Sequence, residues 1–123
     1  MVFLSLSNDA LAKELGPVWA RLDLHNAPPV ERVLYLDADL LVRSNLEPLW
    51  QTDLRGRPLA AIPDVGHPMG YDGIDRKAYF NAGAMLMDLA KIRINGQNLH
   101  ETGRNMKDSS FRDQDALNAH FTE

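Results

Sequence analysis

The segment that decides the fold covers residues 30–50 and reads VERVLYLDADLLVRSNLEPLW. Its first part, residues 30–36, is enriched in β-branched and aromatic residues and is bounded by proline and aspartate, which predicts a strand buried in a sheet. Two acidic residues, Asp37 and Asp39, follow that strand directly. Because side chains two residues apart in an extended segment project to the same side, we expect the two carboxylates to converge.

Further strands and helices are predicted outward from this segment. Apolar runs rich in strand-forming residues predict strands over residues 2–6, 59–62 and 82–87. Helical spacing of apolar residues and helix-capping residues predict helices over residues 10–15, 18–24, 46–50, 89–94, 99–106 and 115–121. Residues 63–77 are rich in proline, glycine and aspartate and predict a long loop.

This alternation of strands and helices favours an α/β layer architecture with a mostly parallel sheet. In such sheets, ligands bind beyond the carboxyl ends of the strands. Asp37, Asp39, Asp64 and Asn81 all fall at or near predicted strand ends. We therefore expect a ligand site at that edge of the sheet.

The composition is that of one soluble globular domain covering residues 1–123, with 45% hydrophobic and 24% charged residues. Thirteen basic and seventeen acidic residues give a formal charge of −4, and no Lys or Arg run indicates nucleic-acid binding. The absence of cysteine excludes disulfides, thiolate metal sites and thiol redox chemistry. No apolar run approaches the ~20 residues of a membrane span and no signal peptide is evident, so we expect a cytoplasmic protein.

The paired carboxylates of Asp37 and Asp39 repel each other unless a cation neutralises them. Oxygen-only ligands favour a hard ion such as Mg²⁺ or Mn²⁺, which could hold a diphosphate and stabilise its developing charge as a Lewis acid. One alternative is a pair of turn residues that accept backbone hydrogen bonds. Another is a haloacid dehalogenase-type phosphatase with Asp37 as nucleophile, although that family usually has a hydroxyl residue where Leu40 and Leu41 stand here.

Four segments in order resemble glycosyltransferase family 8, which contains glycogenin, galactinol synthases and bacterial lipopolysaccharide galactosyl- and glucosyltransferases. They are ARL at 20–22, the segment 30–50, YFNAGAMLMDL at 79–89 and FRDQDALN at 111–118. The resemblance extends from Val18 onward and is closest to the bacterial branch. It implies the GT-A fold, a Rossmann-like mixed sheet with flanking helices. It also implies retaining transfer of a hexose, glucose or galactose, from a UDP-sugar to a saccharide or lipopolysaccharide-type acceptor.

The resemblance assigns Asp37 and Asp39 as ligands of the Mn²⁺ (or Mg²⁺) that bridges the donor diphosphate. Ala38 would contact the nucleotide through its backbone. Arg21 would reach the donor with its guanidinium fork, and the alternative is a surface arginine without a role.

The resemblance also places Asn81 and Ala82 beside the donor sugar, where Gly83 would let the backbone approach closely. The alternative is a plain buried strand. Gln114 would lie near the anomeric carbon and Asp113 would bind sugar hydroxyls, which makes these two the candidate catalytic residues. Because an amide is a poor nucleophile, we expect front-face attack, with Gln114 stabilising developing positive charge.

Several other polar residues have weaker assignments. Asp115 and Asn118 suit stabilisation of the local helix as well as sugar binding. Asp64 and the segment 72–75 could border an acceptor pocket, but solvated loop carboxylates are the favoured interpretation. The four histidines are isolated, and we expect each on the surface: His25, His67, His100 and His120.

The family pattern also includes an amino-terminal strand that binds uracil and a later histidine that completes the metal site. Neither pattern occurs in residues 1–123, so we expect this chain to be the central portion of a family 8 catalytic domain. Peripheral membrane contact would belong to the missing segments. A second hypothesis follows, in which the chain is non-catalytic and acts only by binding.

Overall fold

The computed structural model describes residues 5–26, 29–65 and 79–122. Three strands are present in this part of the chain: β1 (Arg32–Leu36), β2 (Leu59–Pro63) and β3 (Phe80–Asp88). The α-helices are α1 (Leu11–Leu15), α2 (Glu47–Trp50), α3 (Leu89–Ile94), α4 (Gly96–Asn105) and α5 (Arg112–Phe121). A 3₁₀ helix covers Pro17–Asp23.

The sheet has the order β1-β3-β2, with β3 antiparallel to both neighbours. Leu86 is opposite Leu34 on one side and Ala60 on the other. The expectation of a mostly parallel sheet is therefore wrong for the three described strands. β1 and β2 do run in the same direction, since both are antiparallel to β3, but the reversed β3 lies between them.

This reversal brings the start of β3 to the same edge of the sheet as the ends of β1 and β2. Asn81 is opposite Ile62 near the end of β2, and Ala84 is opposite Leu36 at the end of β1. Polar residues that follow β1 and β2 are thus placed beside polar residues that begin β3. These residues therefore lie at one edge of the sheet as predicted, although the strand directions that led to this prediction were wrong.

The hydrophobic core lies between the sheet and the helices. β3 is the most buried strand, whereas β1, which was predicted to be buried, is half-buried at an edge of the described sheet. Helix α4 approaches α1 and the 3₁₀ helix so closely that a Cβ at Gly103 would lie 2.6 Å from a Leu11 methyl carbon and 2.8 Å from one of Leu22. Both the helices and the sheet, through β3, contribute residues to the core. The core residues are Leu11, Trp19, Leu22, Phe80, Ala82, Met85, Met87, Leu89, Ile92, Leu99, Met106, Ala116 and Leu117.

The predicted helices are confirmed in position, with adjusted bounds. The second of them is 3₁₀ rather than α, and α4 and α5 each begin three residues earlier than predicted. The predicted strand at 2–6 lies mostly outside the described residues, and Ser5 and Leu6 are not in a strand. Most of the predicted loop at 63–77 also lies outside them. Among the described helices, none is both long enough and apolar enough to cross a membrane.

Candidate functional site

Asp37 lies at the point where β1 leaves the sheet. Its backbone N–H donates to the Gly83 carbonyl at 2.8 Å, which extends the pairing with β3 by one residue. The Asp37 carbonyl then accepts from the Leu40 N–H at 3.3 Å and closes a turn that contains Ala38 and Asp39. The expected extended conformation of this segment is therefore wrong. Asp37 is held on the sheet, whereas Asp39 is exposed on the turn.

The Asp37 carboxylate has contacts on both of its oxygens. The Tyr35 hydroxyl donates to Oδ1 at 2.7 Å, and Arg21 Nη1 lies 3.7 Å from Oδ2. The guanidinium carbon of Arg21 also lies 5.6 Å from the centre of the Tyr35 ring, within cation–π range. Burial, followed by the hydrogen bond to Asp37, raises the pKa of Tyr35 to about 12. The hydroxyl therefore stays protonated and continues to donate at neutral pH.

Arg21 connects the end of β1 to α5. Its Nε lies 2.5 Å from Asp113 Oδ2, without the alignment of a hydrogen bond, so the contact is a close ion pair. Asp113 is only 2% exposed, and this burial raises the pKa of its carboxyl group, opposed by the positive charge of Arg21. The structure thus places the Asp113 carboxylate against Arg21, with Arg21 between two acidic residues.

Asn81 and Asp37 meet over the backbone of Gly83. The Gly83 N–H donates to Asn81 Oδ1 at 2.8 Å. A Cβ at Gly83 would lie 2.8 Å from Asp37 Oδ2 and 2.9 Å from Asn81 Oδ1, closer than such contacts normally occur. Glycine at this position therefore allows both side chains to occupy the same edge of β3.

Gln114 completes the group from α5. Its Nε2 donates to Asp64 Oδ2 at 2.9 Å, and its Oε1 accepts from the Ala82 N–H at 2.9 Å. Asn81 Nδ2 lies 3.4 Å from the same Asp64 oxygen. Ala82 is fully buried, so only its backbone takes part. The structure therefore brings together the amides of Asn81 and Gln114 through one carboxylate.

Two members of this group, Tyr35 and Asp64, are absent from the site residues assigned from sequence, although Asp64 was placed near a strand end at the expected edge of the sheet. The favoured interpretation of Asp64 as a solvated loop carboxylate is wrong, because it is half-buried and accepts from Gln114. Its position directly after β2 was the available signal. Tyr35 gave none, since its hydroxyl reaches Asp37 only after the chain turns at the end of β1.

Asp115 and Asn118 fix α5 to the chain around it. The Tyr79 hydroxyl donates to Asp115 Oδ1 at 2.7 Å, and the Phe111 N–H donates to Oδ2 at 2.9 Å. Asn118 accepts from the Phe80 N–H at 2.7 Å and donates to the Phe80 carbonyl at 2.9 Å. These contacts support the interpretation that Asp115 and Asn118 stabilise the helix.

The carboxylate oxygens of Asp37 and Asp39 are suitable ligands for a hard cation. Across residues 5–26, 29–65 and 79–122, no three His, Cys, Asp or Glu side chains gather at one point. A cation held by this pair would need further ligands from water, from a bound molecule or from residues outside the described ranges.

None of the three described histidines belongs to the group of residues around Asp37 and Gln114, and neither does a neighbouring groove. The expectation of surface histidines is wrong for His25 and His100, which are 3% and 8% exposed. His120 is half-buried, and His67 lies outside the described residues. A groove of about 670 Å³ between β2, α3 and the end of α5 contains none of the predicted site residues.

Comparison with solved structures gives the galactosyltransferase LgtC in complex with donor and acceptor sugar analogs. It matches with a TM-score of 0.71 and 40% sequence identity, over 83% of this chain and 40% of LgtC. General stress protein A of Bacillus subtilis (strain 168) is 34% identical over 107 residues, or 79% of this chain and 37% of that protein. Glycosyltransferase GlyF of Streptococcus pneumoniae serotype 4 is 46% identical over 61 residues, or 50% of this chain and 14% of that protein.

The chain thus spans less than half the length of these relatives. The likeness to LgtC confirms the α/β fold of the GT-A type. The sequence model described as glycosyl transferase family 8 matches residues 13–123, nearly the whole chain. This chain therefore belongs to glycosyl transferase family 8.

Proposed function

We propose that this chain takes part in the retaining transfer of a hexose, glucose or galactose, from a UDP-sugar to a saccharide acceptor. The observation that carries the proposal is the meeting of Asp37, Asn81 and Gln114 at one edge of the sheet. Its family makes the chain a glycosyltransferase, and the comparison with LgtC bound to donor and acceptor sugar analogs supports sugar ligands. Family membership decides against the phosphatase alternative.

Asp37 and Asp39 are the proposed ligands of a divalent cation, Mn²⁺ or Mg²⁺. Bound there, the cation would supply Lewis acid stabilisation of the charge that develops on a diphosphate leaving group. Asp39 is exposed and accessible, and Asp37 is oriented by the Tyr35 hydroxyl. The backbone of Ala38, in the same turn, is the proposed contact to the nucleotide.

Arg21 is the proposed cationic contact to the donor. Its side chain is 17% exposed, and its two acidic neighbours fix its position. Because Asp113 is buried and paired with Arg21, we propose that it supports donor binding mainly by holding this guanidinium.

Gln114 is the proposed stabiliser of positive charge at the anomeric carbon. Among the described residues, its Oε1 accepts one hydrogen bond, from the Ala82 N–H, and a carbonyl oxygen has two lone pairs. One lone pair is therefore available to a ligand. The hydrogen bond from Nε2 to Asp64 fixes the orientation of the amide. The oxygen therefore stays on the side of the Ala82 N–H and does not exchange places with the nitrogen. Asn81 and the backbone of Ala82 border the proposed sugar position.

The proposal predicts Mn²⁺-dependent binding of UDP-sugar that is lost in Asp39→Asn, because a neutral amide is a poorer ligand for a hard cation. We expect a loss of roughly tenfold or more in affinity, equivalent to about 1.4 kcal/mol. The measurement is titration calorimetry with UDP-glucose and UDP-galactose, each with and without Mn²⁺. Glu101→Gln, an exposed acid on α4, is the matched control. Equal binding with and without Mn²⁺ would contradict the metal assignment.

A second candidate function, binding without transfer, is supported by the number of metal ligands. The described residues supply two carboxylates and no third ligand at this site. If the chain only binds, UDP-sugar will bind and remain intact. Chromatographic detection of released UDP, with a saccharide acceptor present, separates the two candidates.

A further inference from the structure

Three buried polar side chains form a cluster away from the donor site. Asp23, His25 and His100 are 2%, 3% and 8% exposed. Asp23 ends the 3₁₀ helix, His25 follows two residues later, and His100 lies on α4. The proposed function uses none of them. Burying an ionisable group costs free energy unless other groups contact it. The contacts of these three side chains therefore indicate which elements they hold together.

Asp23 ties the 3₁₀ helix to two other helices. Its carboxylate accepts from the Leu11 N–H at 2.8 Å and from the Ala12 N–H at 2.9 Å, which satisfies two donors at the start of α1. His100 Nε2 lies 3.0 Å from Asp23 Oδ1, although the pair lacks hydrogen-bond geometry. One carboxylate thus contacts both α1 and α4.

His25 is packed against the first residue of α4. Its Nδ1 lies 2.7 Å from the Leu22 carbonyl, and because a carbonyl only accepts, Nδ1 carries the proton. Nε2 then has no proton in the neutral ring. A Cβ at Gly96 would overlap Nε2, so the ring rests directly on the positive end of this ten-residue helix. That end disfavours a second proton, and hence a positive charge, on the ring.

The charged groups that face His25 come from each neighbouring element. His100 of α4 makes an edge contact with ring centres 5.1 Å apart, Arg93 of α3 donates to the His25 carbonyl at 2.7 Å, and Asp23 and Asp9 are the nearby acids. Burial lowers the pKa of His25 from 6.5. The Leu22 carbonyl and Asp23 oppose this effect, and His100 and Arg93 add to it. The stability that depends on neutral His25 is thus present above pH 6.5 and is lost as the pH falls through the folded-state value.

The same 3₁₀ helix carries Arg21, two residues before Asp23. We propose that Asp23, His25 and His100 form a positioning cluster that holds the 3₁₀ helix and thereby keeps Arg21 between Asp37 and Asp113, so that mild acid weakens donor binding. The part that concerns the donor rests on the proposed function. Protonation of His25 would place a charge on the start of α4 and loosen the helix that carries Arg21.

Trp19, which is 2% exposed on the 3₁₀ helix, reports on this movement without any ligand. In the full chain carrying Trp50→Phe, it is the remaining tryptophan. Because the folded-state pKa of His25 lies below 6.5, we expect its fluorescence to shift to longer wavelength as the pH falls from about 7.5 to about 4.5, while far-ultraviolet circular dichroism is retained. His25→Gln, which can still donate to the Leu22 carbonyl but does not titrate, should abolish the shift. His120→Gln is the matched control and should retain it.

An unchanged Trp19 spectrum over this range would overturn the proposal, and so would a shift that persists in His25→Gln. If His25→Gln does not fold, His25→Asn is the second non-titrating variant for the same comparison. With UDP-sugar and Mn²⁺, we expect the wild-type affinity to fall roughly threefold to tenfold over the same range, and His25→Gln to remove this dependence. Absence of donor binding at every pH would contradict the proposed function, whereas Trp19 would still decide whether the cluster holds the helix.

Discussion

At the scale of single residues, Gly83 sets how closely the side chains of the site approach one another. The position of its missing Cβ is 2.8 Å from Asp37 Oδ2 and 2.9 Å from Asn81 Oδ1. In Gly83→Ala both side chains must move, and we expect a loss of about 1–3 kcal/mol in the free energy of unfolding, together with loss of UDP-sugar binding. Chemical denaturation and calorimetry on the same sample measure the two effects.

Gly56→Ala is the matched control, because alanine there strains the backbone without a steric clash. Gly56 has a φ of 79° and no heavy atom within 4 Å of the position that a Cβ would occupy, so alanine there is strained but meets nothing. We expect a loss of about 1–2 kcal/mol in unfolding free energy with donor affinity unchanged. If both variants bound UDP-sugar like the wild type, the close approach at Gly83 would have no role in the site.

At the scale of elements, the spacing of apolar residues predicted where helices and strands lie but not how the strands pair. β3 was recognisable from its composition, yet its direction depends on contacts with β1 and β2 that are distant in the sequence. The contacts among the candidate site residues likewise join positions that are distant in the sequence. The link from Gln114 to Asp64 joins residues 50 positions apart, and such a contact depends on how α5 packs on the sheet, which no local pattern specifies.

Asn118 fastens α5 to β3 through the backbone of Phe80. The Phe80 carbonyl accepts from Asn118 Nδ2 at 2.9 Å. The Phe80 N–H donates to Asn118 Oδ1 at 2.7 Å. In Asn118→Ala two buried backbone groups lose their partner, and we expect the free energy of unfolding to fall by about 2–4 kcal/mol.

Denaturation in urea measures this loss, and Asn98→Ala, at an exposed position on α4, is the matched control. The control should stay within about 0.5 kcal/mol of the wild type. Similar values for the two variants would show that Asn118 does not support the junction of α5 and β3. Because Gln114 lies one turn earlier on α5, we also expect weaker donor binding in Asn118→Ala.

At the scale of the whole molecule, the family and the gathering of the candidate site residues at one edge of the sheet followed from sequence, whereas the buried polar contacts did not. Motifs around Asp37, Asn81 and Gln114 are local and therefore readable. The burial of His25 and His100 depends on how the 3₁₀ helix packs on α4, with Gly96 and Gly103 permitting the contact. A histidine between one leucine and one polar residue, as His25 and His100 both are, gives no sign in the sequence that another helix will cover it.

The pH dependence of stability is also a property of the whole molecule, and two tyrosines predict its alkaline side. Tyr35 donates to Asp37 and Tyr79 to Asp115, each at 2.7 Å, and burial is the main cause that raises both pKa values above 10.0. A raised pKa contributes stability that is complete below pH 10.0 and is lost as the pH rises through the folded-state value, about 12 for Tyr35.

We therefore expect the free energy of unfolding, measured in urea, to decline from about pH 10 upward. Lysines titrate in the same range, so the informative comparison is the wild type against Tyr79→Phe, whose decline should be shallower because one linked proton is removed. In Tyr71→Phe, tyrosinate absorbance reports Tyr35 and Tyr79 alone. We expect it to appear together with the loss of circular dichroism. Ionisation of both tyrosines near pH 10 in a chain that stays folded would show that the carboxylates do not hold these hydroxyl protons.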